Sequence, residues 1–148
     1  MALSAASPQP ARTVLKTTQS GYEGFLRDEL TTLPETRERM LATSITASWE
    51  YTQAPADCDA AFASLQAALC GAFFGPASGG VYSPSVQMTL YQMGAAALAA
   101  VPSVESITLT CPNIHFLPVL PAGIPLRTTC MSLPRSRTAR FGPRWGAA

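Results

Sequence analysis

Two short groupings in this chain have the residue types and spacing to do chemistry. Asn113 and His115 lie two apart at the end of an alternating run, so their side chains share one face. His115 is the chain's single histidine, and an imidazole titrating near neutral pH can take up and return a proton. Gln87 follows Tyr82-Ser83-Pro84-Ser85-Val86, where Ser83 can cap a helix and Pro84 can take its first position. The Gln87 amide offers a donor and an acceptor together, and the Val86 N–H beside it is among the open donors of a first turn, which favour an anion. The bland readings are strong. A lone histidine at a strand end is more often simply hydrogen-bonded, and most capped helix starts bind nothing. Tyr22 and Leu33 read as ordinary core residues, and Arg39, two residues after Arg37, as a solvated charge.

Composition excludes more than it proposes. Cys58, Cys70, Cys111 and Cys130 are far apart with no C-x-x-C pair, which rules out the usual zinc spacings and argues against a disulfide scaffold. Reduced, mostly buried thiols and no metal are expected. The most apolar run, residues 94–101, is too short for a membrane span, so no membrane partner is expected. Residues 1–121 hold five basic and nine acidic side chains, net −4, whereas the last 27 residues hold five Arg and no acid. Those Arg residues alternate with Pro, Ser, Thr and Gly without an aromatic series, so no nucleic-acid partner is expected. Residues 1–10 lack the basic start and long apolar middle of a secretory signal, and Gly146-Ala147-Ala148 is not a peroxisomal Ser-Lys-Leu address.

Several elements must position these groups. Residues 1–12 read as a disordered lead-in, and a short β-prone run follows from Thr13. Leu41, Thr43, Ile45, Ala47, Trp49 and Tyr51 alternate with smaller or more polar residues at a period of two, which predicts a half-buried strand. After Pro55 the period becomes helical: Phe62, Leu65, Leu69 and Phe73 share a stripe, Asp57 or Asp59 can cap it, and Gly75-Pro76 stops it. A second helix runs from Pro84 through Leu90, Met93, Ala97 and Leu98 to Pro102. Ile107, Leu109 and Cys111 then alternate into a strand expected to end at Pro112. Residues 122–148 show neither period and read as an irregular, Arg-rich tail.

An ordered set of segments carries a resemblance. They are Val14-Leu15-Lys16-Thr17-Thr18-Gln19-Ser20-Gly21-Tyr22-Glu23-Gly24-Phe25, Arg27-Asp28, and Thr31-Thr32-Leu33-Pro34-Glu35-Thr36 with Arg39. Further on come Tyr82-Ser83-Pro84-Ser85-Val86-Gln87 with Thr89-Leu90-Tyr91, and Pro112-Asn113-Ile114-His115-Phe116. Over residues 13–121 the chain resembles the second half of the urate oxidases.

That resemblance implies an α+β tunnelling fold (T-fold), β-β-α-α-β-(β), an antiparallel sheet with two helices on one face. The last strand is expected to be lost within the 122–148 tail, which on this reading is a frame-shifted or mis-spliced version of it. The resemblance assigns Tyr22 to stacking on the purine, Leu33 to lining the pocket, Arg39 to gripping the urate anion, and Val86 and Gln87 to its edge. It assigns Asn113 to holding oxygen or water and His115 to a proton relay. The reaction it implies is oxidation of urate by O2 to 5-hydroxyisourate and H2O2, with O2 as co-substrate and no cofactor. It also implies a homo-oligomer, a tetramer, located in peroxisomes in a eukaryote or the cytoplasm in a bacterium. The relay's Lys, Thr and Asp belong to the family's first unit, so this chain alone is expected to be weakly active or inactive. The alternative is a non-catalytic T-fold assembly partner of complete subunits.

Overall fold

The computed structural model describes residues 3–5, 12–32, 34–114 and 134–142. Its elements are β1 (Leu3–Ala5), β2 (Arg12–Lys16), β3 (Leu41–Tyr51), α1 (Cys58–Phe74), α2 (Val86–Ala100), β4 (Val104–Ile114) and β5 (Pro134–Phe141). All the pairings are antiparallel: β1 and β2 share one edge of β3, β4 lies on its other side, and β5 follows β4. Without the short β1, the order is β-β-α-α-β-β.

The period of two in β3 sets its faces. Leu41, Thr43, Ala47, Trp49 and Tyr51 are buried, whereas Thr46 is exposed. Register carries that apolar face across the sheet. Ala47 stands opposite Leu109 and Trp49 opposite Ile107, and on the next strand Ala139 and Phe141 face the same two β4 residues. The helices close this face. α1 contributes Leu65, Leu69 and Phe73, α2 contributes Val86, Leu90, Met93 and Ala97, and all belong to one core with the β3 and β4 residues. α1 is capped by Asp57, whose side chain accepts from Ala60 N, and it ends on Gly75 at φ 74°, a left-handed conformation suited to glycine.

Four expectations need correcting. The lead-in contains strand: Leu3–Ala5 pairs with residues 49–51 of β3, and Arg12 already belongs to β2. The second helix is capped by Ser85, which accepts from Met88 N, and starts at Val86. Ser83 is unavailable as a cap because its hydroxyl is engaged with Ser85 O and the Thr89 hydroxyl, and its carbonyl accepts Gly21 N instead of a helix N–H.

β4 runs through Pro112 to Ile114. A proline inside a strand cannot donate to its ladder, and the β3–β4 pairing is interrupted between Thr46↔Thr110 and Ala42↔Ile114. Thr43 bridges the gap by donating from Oγ1 to Pro112 O at 2.8 Å.

The last strand is present. Residues 134–141 of the supposed irregular tail pair with β4 from Ile114 back to Ile107. Phe141 is buried and Ala139 half-buried, while Thr138 and Arg140, which alternate with them, are exposed, so this stretch alternates once β4 offers it an edge. Phe141 packs directly on α2: its ring lies 6.0 Å from Tyr91, and a Cβ on Gly94 would come within 2.4 Å of it.

The described cysteines are free, and only Cys111 is buried; Cys70 is half-buried and Cys58, in the first turn of α1, is exposed. Burial pushes the Cys111 thiol up to about 11, with the Thr43 hydrogen bond acting in the opposite sense.

Candidate functional site

Past β2 the chain makes a middle lane between two others. At Gln19 the backbone takes φ 54°, left-handed and unusual for a residue with a side chain, and the strand direction breaks there. On one side, Ser83 N donates to Gln19 O at 2.9 Å, Gly21 N to Ser83 O at 2.8 Å and Glu23 N to Pro84 O at 3.3 Å. On the other, Tyr22 N donates to Thr36 O at 2.6 Å, Thr36 N to Tyr22 O at 3.0 Å and Arg39 N to Ser20 O at 2.9 Å. Residues 19–23 therefore hold 36–39 and 81–84 together. Tyr22, Arg39 and the start of α2 come from distant parts of the chain, and these backbone bonds bring them to one place.

A side-chain network locks the lanes. Tyr82 Oη donates to Glu23 Oε1 at 2.7 Å, and Arg37 Nε donates to Glu23 Oε2 at 3.1 Å. The Tyr82 hydrogen bond first, and Arg37 second, hold the Glu23 carboxyl below the usual glutamate range, while Glu23 raises the Tyr82 phenol. Gly21 is where the lanes come closest. A Cβ there would meet Tyr82 Oη at 2.1 Å and Thr36 O at 2.9 Å.

Arg39 stands at the centre of the assembly. Its Nε and Nη2 are buried with no hydrogen-bond partner, and its Cζ lies 5.6 Å from the centroid of the Tyr22 ring. Burial pulls the guanidinium below its ordinary value, opposed by Tyr22 and Tyr82. A buried charged donor without an acceptor costs about 1–3 kcal/mol or more, and an incoming anion would recover that cost. The planar fork suits two parallel hydrogen bonds to a flat anion.

Tyr22 carries a second neighbour that its sequence position does not reveal. Its ring stacks on Phe25, with centroids 4.4 Å apart and planes 19° apart, and Arg27 lies over Phe25 at 5.7 Å. A planar ligand on Tyr22 thus meets a platform already framed by Arg39 and Phe25. Across the lanes, Val86 is buried and Gln87 exposed in the first turn of α2. Ser85 takes Met88 N on its hydroxyl and Thr89 N on its carbonyl, which leaves Val86 N and Gln87 N as first-turn donors with no intrahelical acceptor.

Asn113 lies near the end of β4, where Ile114 pairs with Ala42, three residues after Arg39. The topology therefore brings Asn113 to the same end of the sheet as Arg39. Leu33, His115 and the Asn113 side chain lie outside the described residues, so their positions in the site are not described. Sequence reasoning missed Gly21, Glu23, Phe25 and Tyr82. All four lie inside the quoted segments, but nothing in their types marks them as contacts between distant stretches.

Among the described residues, no cluster of three or more His, Cys, Asp or Glu is placed to hold a metal, and no helix is long and apolar enough to cross a membrane.

An antiparallel β-β-α-α-β-β unit with two helices on one face of its sheet defines a T-fold unit, and its lanes bury two unpaired guanidinium nitrogens over an aromatic ring beside an open helix start. The Uricase family model matches residues 11–131, and the chain belongs to that family. It is 53% identical over 114 residues to uricase-2 isozyme 1 of Canavalia lineata, and equally so to the uricase of Arabidopsis thaliana, covering 72% of this chain and 37% of each relative. The chain thus spans little more than a third of the length of these curated relatives. Its fold superposes on the crystal structure of uricase from Arthrobacter globiformis with a TM-score of 0.76 at 33% identity, covering 92% of this chain and 48% of that one. A hyperthermostable mutant of Bacillus sp. TB-90 urate oxidase, at 16% identity and a TM-score of 0.66, shares the fold.

Proposed function

We propose that this chain is the urate-holding unit of a urate oxidase, and that it contributes one side of a site completed by a further unit. The observation that carries the reading is Arg39, held over Tyr22 with two buried nitrogens, Nε and Nη2, unpaired. Urate is a flat anionic purine. Arg39 would pair with it in its plane, Tyr22 would stack on its face, Val86 N–H and the Gln87 amide would read its edge, and Leu33 would line the pocket. Asn113 would hold O2 or water above the ring, and His115 would move protons. The overall change is urate + O2 + H2O to 5-hydroxyisourate + H2O2, in which urate is the reductant and O2 the oxidant. The protein supplies position and electrostatics, with no cofactor in this reading. The same reading makes the working assembly a homotetramer in the purine breakdown of a peroxisome or a bacterial cytoplasm, an inference that rests on the family resemblance.

Calorimetric titration of the purified chain with urate tests the substrate. Saturable binding is expected, and Arg39→Lys, which keeps the charge and loses the fork, should weaken it about ten- to hundredfold, the equivalent of about 1.5–3 kcal/mol for a charged hydrogen bond. Absence of binding, or an Arg39→Lys variant that binds as well as the parent, overturns the reading. The alternative reading is a non-catalytic T-fold partner that joins complete subunits. In that case the chain would co-elute with a complete subunit yet bind no urate.

A further inference from the structure

Lys16 closes β2 and is only 6% exposed. It buries an ammonium without an acid: the ion pairs among the described residues join Arg37 to Glu23 and Arg140 to Glu50. Its Nζ donates to two carbonyls instead, Phe73 O at 3.1 Å and Val81 O. Burial lowers the pKa of this group, as expected for a cation taken out of water and met by neutral acceptors.

Both acceptors are informative. Phe73 lies at the end of α1, where the last carbonyls lack intrahelical donors and the helix dipole is negative. The helix has no basic residue in its own last turn, so Lys16 supplies that cation from the sheet. Val81 begins the lane that pairs with residues 19–23 and then delivers Ser85, Val86 and Gln87. The backbone of Lys16 runs on through Thr17 and Thr18 to Gln19, whose carbonyl accepts Ser83 N. One side chain therefore fixes the end of α1 and the start of one lane, while its own main chain leads into the other.

The turn between the helices does not depend on this side chain for closure. Gly75 N donates to Gly71 O at 2.7 Å, Gly80 N to Pro76 O at 3.2 Å and Val81 N to Phe74 O at 3.3 Å. What Lys16 adds is a hold on the opposite side of the Val81 peptide, its carbonyl.

We propose that Lys16 is a positioning residue for the purine-edge groups: by tying Val81 O to the end of α1, it sets where the lane presents Val86 and Gln87 relative to Arg39 and Tyr22. The proposal rests on reading this site as the urate site.

Lys16→Met, which keeps an unbranched apolar stem and removes the charge, tests it in the full chain. The melting temperature should stay within a few degrees, because the desolvation penalty disappears along with the hydrogen bonds. Amide exchange at Ser83 and Gly21 should accelerate, the Val86 and Gln87 amide resonances should shift, and the Kd for urate should rise about tenfold. In a Gln87→Ala background, the same substitution should cost much less affinity. Unmoved Val86 and Gln87 resonances with unchanged Ser83 exchange overturn the proposal, as does an undiminished affinity loss in the Gln87→Ala background. If the parent chain binds no urate, the substrate reading fails while the exchange and resonance measurements still decide the role of Lys16. Should Lys16→Met fail to fold, Lys16→Gln, which keeps an amide donor, gives the same readout at smaller amplitude.

Discussion

Two cations with their heads out of water show how differently one chain uses burial. Lys16 gives its donors to carbonyls and holds backbone together. Arg39 is brought in by a lane with its Nε and Nη2 buried and unpartnered, which is what the proposed ligand would answer. Neither role is legible from residue type. By charge pattern Arg39 is a surface residue, and only the ordered segments of the family mark it as a binding group. The same limit applies to Gly21, which nothing in the sequence marks and which is the contact point of three lanes. Substituting Gly21→Ala would drive a Cβ to 2.1 Å from Tyr82 Oη and 2.9 Å from Thr36 O. The phenol can swing away, but the Thr36 carbonyl belongs to the backbone pair with Tyr22 and cannot. A loss of about 1–3 kcal/mol is expected, roughly 3–10 °C in melting temperature for a chain of this size. Thermal unfolding of Gly21→Ala beside Gly21→Ala/Tyr82→Phe checks the argument: deleting the hydroxyl should recover only part of the loss.

At the scale of elements, the strap formed by 19–23, 36–39 and 81–84 has its own titration. Glu23 is held below its ordinary range by Tyr82 and then Arg37. A carboxyl depressed in the folded state adds stability that is complete above the unfolded value, near about 4.3, and is lost as pH falls through the lower folded value. The wild-type melting temperature should therefore drop on acidification below about pH 4.3, and Glu23→Gln should flatten that limb while leaving stability at pH 7 slightly lower. An acid limb equally steep in Glu23→Gln would assign it to other groups. β3 was readable because a period of two with one heavier face is a strong local signal, and α1 because its stripe and Asp57 cap agree. Ser83 misled because its commitment to Gln19 and Gly21 is non-local. Pro112 misled because the strand is held across it by Thr43, 69 residues away, whose hydroxyl donates to the Pro112 carbonyl. β5 was hidden because three arginines dominate its composition, yet Phe141 is what seats it on Gly94 and Tyr91. Phe141→Ala should cost about 3–5 kcal/mol, on the order of 10 °C, with exchange rising first along the β4 edge that β5 covers. A melting temperature unchanged by that substitution would show that β5 contributes little to the fold.

For the whole molecule, one T-fold unit carries the residues that would hold urate, and the matched relatives are nearly three times as long as the stretch they share with it. The groups gathered by the described chain suit binding better than proton removal: a fork, a ring, two first-turn N–H groups and an amide, with His115 beyond the described region. Oxidising urate requires protons to leave as electrons pass to O2, and general acid–base help of that kind contributes about 10²–10⁴-fold. If a further unit completes the relay, as proposed, this unit alone should hold urate and turn it over slowly. Purified chain mixed with urate in air should show loss of the urate absorbance at less than about 1% of the rate of a complete uricase, with H2O2 appearing in proportion to any loss. Adding a complete subunit whose own arginine at the Arg39-equivalent position is replaced should restore turnover only if the two polypeptides share a site, and sizing of the mixture should then show co-assembly. Full turnover by the chain alone would show that one T-fold unit, through contacts among copies of itself, suffices for the chemistry.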